Sequence, residues 1–363
     1  MSHVPVAGAR VPPPYRSAWA RALVACGLVI VIVTIVLDLL TGPNTTFSPL
    51  LASLPVLTSA ATRRAWLPIL TGGTAMTMTG LLALFNPGVP LSVHITAMAA
   101  VFAVTLGSTA TVLLVSSRER ELLQVRGVAE AAQWALLRAV PAQIGPVRLA
   151  VRYLAAAAEA RIGGDLYEVL PTPYGIRLLI GDVRGKGLPA VETAVDVLGA
   201  FREAARTEPS LAAVASRLDT ALARRGTSED FVTAVLANLP DDSCPAEIVN
   251  CGHPAPLLIR SGRVTELEPS AWAPPLGLLG LVGSAYPTRT FRLVRGDTLL
   301  LYTDGVSEAR DTTSVFYPLA QRLVAMPHDD PEALLERLVA DVRCYVHGAL
   351  ADDAALVAVR WEA

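Results

Sequence analysis

Two short stretches decide how this chain is read: Gly163-Gly164-Asp165-Leu166-Tyr167-Glu168, and Ile180-Gly181-Asp182-Val183-Arg184-Gly185-Lys186-Gly187. Each sets an aspartate at the end of a short β-rich run, 166–170 and 176–182, with glycine beside it. The arrangement recurs downstream. Asp304 follows the apolar run 298–303 and precedes Gly305, and Asp352-Asp353 introduces the run 354–361. One such aspartate reads as a turn residue. Four of them closing β-runs read as a convergent set, because carboxylates at strand ends, where glycine lets backbone approach closely, suit hard cations that take about six oxygen ligands, Mg²⁺ or Mn²⁺. Two such ions about 3.5–4 Å apart would hold a water, lower its pKa and orient it for in-line attack on phosphorus.

Further β-runs lie at 147–154, 231–239 and 247–251, with helical periodicity over 188–206, 211–225 and 331–346. Strands dominate without regular βαβ alternation, which predicts an α+β class with antiparallel sheet and helices outside. Other chemistries are excluded by spacing. Gly185-Lys186-Gly187 lacks the upstream glycine and the Ser or Thr of a phosphate-cradling loop, and there is no GxSxG, HExxH or Cys/His couple. His253, in Cys251-Gly252-His253-Pro254, reads first as a turn-stabilising residue and second as a direct participant in catalysis. The cysteines Cys26, Cys244, Cys251 and Cys344 form no CxxC pair, which fits a reducing compartment without a zinc site.

The rest of the chain is a different material. Of 363 residues, 52% are hydrophobic and 17% charged, and the net charge of −2 argues against nucleic acid as a partner. The shortage of charge is local: residues 1–117 hold five arginines (Arg10, Arg16, Arg21, Arg63, Arg64) and one acid, Asp38. Apolar runs at 18–40, 47–62, 65–85 and 91–115 predict about four membrane spans, the second broken by Pro49 and Pro55. Arg10, Arg16 and Arg21 precede the first helix, Arg63 and Arg64 separate the second run from the third, and Arg118 and Arg120 follow the fourth, so the positive-inside rule places both termini in the cytoplasm of a multi-pass plasma-membrane protein. Asp38 and His94 fall near predicted membrane ends and read as interfacial polar residues. Few ionisable groups lie within the spans, which leaves a transporter or channel without support. The domain boundaries read from this are 1–117 membrane anchor, 118–146 linker helix and 147–363 catalytic domain. Within 118–140 a narrow apolar stripe serves equally as a homodimer seam or as a face packed on the next domain.

Taken in order, AEAAQWALLRAVPAQIGPVRLAVRYLAAAAEARIGGDLYEV, GDVRGKGLPA, FVTAVLANL, NCGHPAPLL, PPLGLL, LLLYTDGVSEAR and DDAALVAVR resemble the PPM family of metal-dependent protein phosphatases (protein phosphatase type 2C-like), in its bacterial SpoIIE-like branch. The resemblance spans roughly 129–360. It implies a two-layer antiparallel β-sandwich flanked by helices, and a serine/threonine phosphatase with two Mn²⁺ or Mg²⁺ ions, in which a hydroxide bridging the metals is the nucleophile and no phosphoenzyme forms. Carried over by position, Asp165, Asp182, the carbonyl of Val183, Asp304 and Asp352 are the implied metal ligands, with Asp353 in place of Asp352 if the register is shifted by one. Glu168, where the branch often has aspartate, is implied in binding metal-bound water or in an outer shell. Lys186 and Arg161 are candidates for the phosphate side of the site. Ala355 stands where the branch usually has threonine, and Arg184 where a small residue is common.

The resemblance implies a cytosolic phosphoprotein substrate, with an anti-sigma-factor antagonist suggested by family analogy; analogy of fold does not fix substrate. The competing reading is a catalytically silent, membrane-bound scaffold that binds phosphoproteins through the same surface.

Overall fold

The computed structural model describes residues 18–154, 164–224, 230–240, 245–282, 285–348 and 350–363. Its contacts divide the chain into two compact units, Met1–Val125 and Arg126–Ala363.

In the first unit, α1 (Ala18–Thr41) is followed by a 3-10 turn (Ser48–Ala52), α2 (Ser53–Ala61), α3 (Trp66–Phe85) and most of α4 (Leu91–Leu136), whose residues from Arg126 onward fall in the second unit. Three of these helices are long and apolar enough to cross a membrane, over Arg21–Thr41, Trp66–Phe85 and Leu91–Gln124. The expected second span, 47–62, is instead the shorter apolar segment Ser48–Ala61; at 1.5 Å per residue it rises about 21 Å, short of about 30 Å of hydrocarbon. Outward-facing Leu28, Ile32, Val36, Phe102 and Leu106 are exposed, while Leu51, Ala75, Leu82 and Val101 form the internal contact. A Cβ on Gly72 would stand 2.2 Å from Thr105 Oγ1, so glycine permits α3 and α4 to approach. Asp38 is buried and accepts hydrogen bonds from Asn86 Nδ2 at 2.8 Å, Thr46 Oγ1 at 3.2 Å and the Phe47 amide. It fastens the loop after α1 to the end of α3, a structural role.

The second unit is a sandwich of two antiparallel sheets. One sheet has the order β1 (Gln143–Ile144), β2 (Val147–Leu154), β11 (Ala354–Trp361), β10 (Thr298–Tyr302), β7 (Leu257–Arg260), β8 (Arg263–Glu266). The other runs β3 (Asp165–Thr172), β4 (Gly175–Val183), β5 (Val232–Leu239), β6 (Ala246–Cys251), β9 (Thr288–Phe291). Side-chain alternation explains why these strands are apolar almost throughout. In β4, Ile176, Leu178 and Ile180 enter the core between the sheets, and Leu179 and Val183 enter the core beneath α5 (Leu188–Thr207) and α6 (Leu211–Ala223). In β11, Ala355, Val357 and Val359 face inward, and Ala354, Leu356 and Ala358 face outward toward α9 (Leu319–Val324) and α10 (Pro331–Tyr345). Short α7 (Leu279–Val282) and α8 (Asp304–Ser307) complete the unit. The predicted α+β sandwich with helices on both outer faces is the observed architecture.

One buried charge is structural. The Arg177 guanidinium, on the helix side of β4, donates to the carbonyls of Ala205, Glu208 and Pro209, the carbonyl-rich end of α5.

Candidate metal centre

The register of the β3–β4 hairpin sets Asp165 directly opposite Asp182. Alternation then fixes their direction. Tyr167 and Val169 of β3, and Leu178 and Ile180 of β4, point between the sheets, so Asp165 and Asp182, at even spacing from them, lie on the same inner face at the sandwich edge. Across the gap, β10 carries Leu299 and Leu301 inward and delivers Thr303 and Asp304 to that edge, with Asp352-Asp353 arriving just before β11.

The electrostatics report the convergence. Burial, and then the charge of Asp182, hold the Asp165 carboxyl well above the ordinary range, with Asp304 and Asp353 adding to the shift. Burial pushes Asp182 up to about 7, helped by Asp304, Asp352 and Asp353 and opposed by Lys186. Asp304 is raised by burial, then by Glu308 and Asp352. Like charges gathered in a partly dry pocket disfavour ionisation.

Glycines permit the approach. A Cβ on Gly164 would lie 2.3 Å from the Val183 carbonyl oxygen and 2.8 Å from Asp182 Oδ1; on Gly305 it would lie 1.9 Å from the carbonyl oxygen of Asp353. Gly185 and Gly187, with φ of 97° and 86°, turn the chain on either side of Lys186, whose Nζ donates to Asp352 Oδ1 at 2.6 Å. Asp352 Oδ1 also accepts the Asp353 amide at 2.9 Å.

Two residues that the strand-end pattern did not single out hold this edge together. Thr303 Oγ1 donates to Asp165 Oδ2 at 2.8 Å and accepts the Ala355 amide at 2.9 Å, tying β3 to both central strands of the opposite sheet. Ala355 itself is buried in the core between the sheets. Thr233 on β5 meets His253 Nδ1 at 3.0 Å, and His253 Nε2 meets the Tyr302 carbonyl at 3.1 Å. A carbonyl only accepts, so Nε2 carries the proton and Nδ1 accepts the Thr233 hydroxyl. Burial lowers the His253 pKa to about 4 and keeps the ring neutral. With Asn250 Oδ1 accepting the His253 amide and Asn250 Nδ2 donating to its carbonyl, His253 is a cross-tie at a turn, the first of its two sequence readings.

Glu168 corrects an expectation. Three residues along β3 from Asp165, it falls on the opposite face and pairs with Arg202 of α5, Nε to Oε2 at 2.8 Å, away from the acid cluster. Arg202 also donates to the Leu136 carbonyl at the end of α4. Arg161 lies outside the described residues.

The donor set is all carboxylate and carbonyl oxygen, which fits Mg²⁺ or Mn²⁺ by hardness. Among the described residues no three acids stand as a closed ligand group, and Asp352 is turned to Lys186.

A sequence profile described as "Stage II sporulation protein E (SpoIIE)" matches residues 172–362, more than half of the chain. The chain belongs to the SpoIIE family. Solved structures agree on the fold. The SiaA-PP2C domain of Pseudomonas aeruginosa aligns with a TM-score of 0.57 at 20% identity, covering 68% of this chain and 100% of that one. The PP2C phosphatase domain with a regulatory fragment of SpoIIE from Bacillus subtilis gives 0.52 at 18%, covering 60% and 64%. The RsbU and RsbW domains of a Mycobacterium tuberculosis protein give 0.51 at 26%, covering 60% and 62%. This chain therefore spans less than two thirds of the latter two. The sandwich of this SpoIIE-family chain has the PP2C phosphatase fold.

Proposed function

We propose that this SpoIIE-family chain is a membrane-anchored, metal-dependent serine/threonine protein phosphatase whose catalytic unit lies in the cytoplasm. The observation that carries the reading is the convergence of Asp165, Asp182, Asp304, Asp352 and Asp353 on one edge of a PP2C-type sandwich, where each carboxyl that is shifted is raised by burial and then by its acidic neighbours. In this reading Asp165, Asp182, the Val183 carbonyl, Asp304 and Asp352 or Asp353 hold two Mn²⁺ or Mg²⁺ ions. When bound, the ions supply positive charge to the phosphoryl oxygens and make a water acidic enough to attack at neutral pH.

The chain's own groups then have assigned tasks. Thr303 orients Asp165 through its hydroxyl, Gly164 and Gly305 leave room for backbone oxygen beside the acids, and Lys186 supplies a positive field on the Asp352 side. The apolar helices of residues 1–117 anchor the protein in the plasma membrane, and residues 118–146, with Arg118 and Arg120 at their start, link the anchor to a catalytic domain on the cytoplasmic side. A cytosolic phosphoprotein is the substrate class, and an anti-sigma-factor antagonist is the first to try. Purified full-length chain in detergent should hydrolyse a phosphoserine peptide with Mn²⁺ or Mg²⁺ and stop in EDTA. Turnover that survives EDTA or Asp182→Ala would overturn the reading. Phosphopeptide binding without any turnover would favour the silent scaffold.

A further inference from the structure

A cleft of about 280 Å³ adjoins the acid cluster and shares two of its residues, Gly305 and Asp352; the segment Glu308–Arg310, with Val346 and Ala351, completes its wall. We infer that this cleft receives the substrate residues that flank the phosphorylated side chain, and that Arg310 selects an acidic one among them. The inference deepens the phosphatase reading and rests on it for the identity of the substrate.

Arg310 is built for the task. Its guanidinium carbon stacks 4.3 Å from the centre of the Phe316 ring, and the two residues also pair through their backbones. The loop between them is fixed from both sides. Asp311 Oδ1 accepts the amides of Thr313 and Val315, and the Tyr345 hydroxyl reaches the carbonyls of Val315 and Phe316 at 3.3 and 3.2 Å. Tyr345 in turn packs edge-on against Tyr317. Stacking on an aromatic face holds a guanidinium in place without engaging its N–H edge. Among the described residues Arg310 makes no side-chain hydrogen bond or ion pair, although its side chain is exposed at the cleft wall. A preorganised guanidinium with its donor fork open is the geometry that takes a carboxylate in two parallel hydrogen bonds.

The charges around it decide the sign of the partner. Glu308 and Asp352 also line the cleft, but Asp352 is already paired with Lys186 at 2.6 Å. Arg310 is the cation of the cleft wall with its donors open, so a carboxylate of the substrate, adjacent to the reacting phosphate, is the complementary group. A basic flanking residue would have to address Glu308, the opposite outcome.

The test uses full-length chain in detergent with Mn²⁺ and phosphoserine peptides carrying Glu, Gln or Lys at each flanking position in turn. Both kcat/KM and binding by fluorescence anisotropy are read. Wild type should prefer the Glu peptide over the Gln peptide by about tenfold at one position, the scale of one charge-assisted contact. Arg310→Gln should bring that ratio close to one, and Arg310→Glu should turn it toward the Lys peptide. Equal use of all peptides by wild type, preference for Lys, or a ratio that survives in Arg310→Gln would each overturn the inference. If no peptide is turned over, the phosphatase reading fails, and the Glu-to-Gln ratio in anisotropy still decides the role of Arg310.

Discussion

Lys186 and Asp352, 166 residues apart in sequence, meet as an ion pair of 2.6 Å at the rim of the acid cluster. The single lysine of the chain thus sits on a carboxylate proposed to hold metal. Both partners are partly exposed, so the pair contributes at most about 1 kcal/mol to folding. Its effect should appear in cation binding. Lys186→Ala frees Asp352 and removes a positive charge, and Mn²⁺ should bind roughly fivefold more tightly, about 1 kcal/mol. Titration calorimetry on wild type and variant checks this; unchanged or weaker binding would show that Lys186 does not compete with the cation.

Thr303 is the buried junction between the sheets. Thr303→Val keeps the shape, removes the hydrogen bond to Asp165 and leaves the Ala355 amide without its side-chain acceptor. A loss of about 1–3 kcal/mol of stability is expected, with weaker Mn²⁺ binding, and Thr303→Ser should recover most of both. Chemical denaturation beside calorimetry separates the two effects. A Thr303→Val protein that binds Mn²⁺ like wild type would remove the positioning role.

Gly305→Ala places a methyl group where the carbonyl oxygen of Asp353 stands, at 1.9 Å. The contact is with backbone, so the segment carrying Asp352 and Asp353 has to move. Metal-dependent turnover should fall at least tenfold while the far-ultraviolet spectrum stays native. Retained activity would mean that this close approach is dispensable.

Asp182 predicts a pH dependence whose sign follows from linkage. Its folded-state pKa, about 7, lies above the ordinary value of 3.8. Between those values the folded state holds more protons than the unfolded one, so in EDTA stability is highest below about pH 4, falls as pH rises toward 7 and then levels, by an amount on the order of a few kcal/mol. Asp165 and Asp304 shift in the same direction and add to the slope. His253, lowered to about 4, works against it over the interval from about 6.5 down to 4. Thermal unfolding at pH 5 and pH 8 in EDTA should show the higher midpoint at pH 5. Asp182→Asn should shrink the difference, and a midpoint that rises with pH in wild type would contradict the assignment.

Much of the fold is written locally. The apolar runs that form β2, β4, β5, β10 and β11, the helices α5, α6 and α10, and the strand-end acids are legible because alternation, helical period and glycine placement are properties of neighbouring residues. The same local rule explains Glu168. Counting along β3 from Asp165 turns it to the other face, and its partner Arg202 comes from α5. The short β7–β8 hairpin and β9, four residues each, carry too little pattern to stand out. The short segment at 47–62 counts as a span in the sequence because two cytoplasmic termini require an even number of crossings, an argument from charge that does not show the chain folding there into a 3-10 turn and a nine-residue helix.

The amino-acid order alone names the residues that have the chemistry: the aspartates, the lone lysine between two glycines, and an apolar half set against a charged half. Which of them meet is settled by the packed fold. Thr303 reaches Asp165 across 138 residues, His253 ties Thr233 to Tyr302, Lys186 finds Asp352, and Arg310 stands on Phe316 beside the cleft. The reason is physical. Periodicity is imposed by the backbone of a single element, whereas hydrogen bonds and ion pairs between sheets depend on the packing of two faces whose register no local stretch encodes.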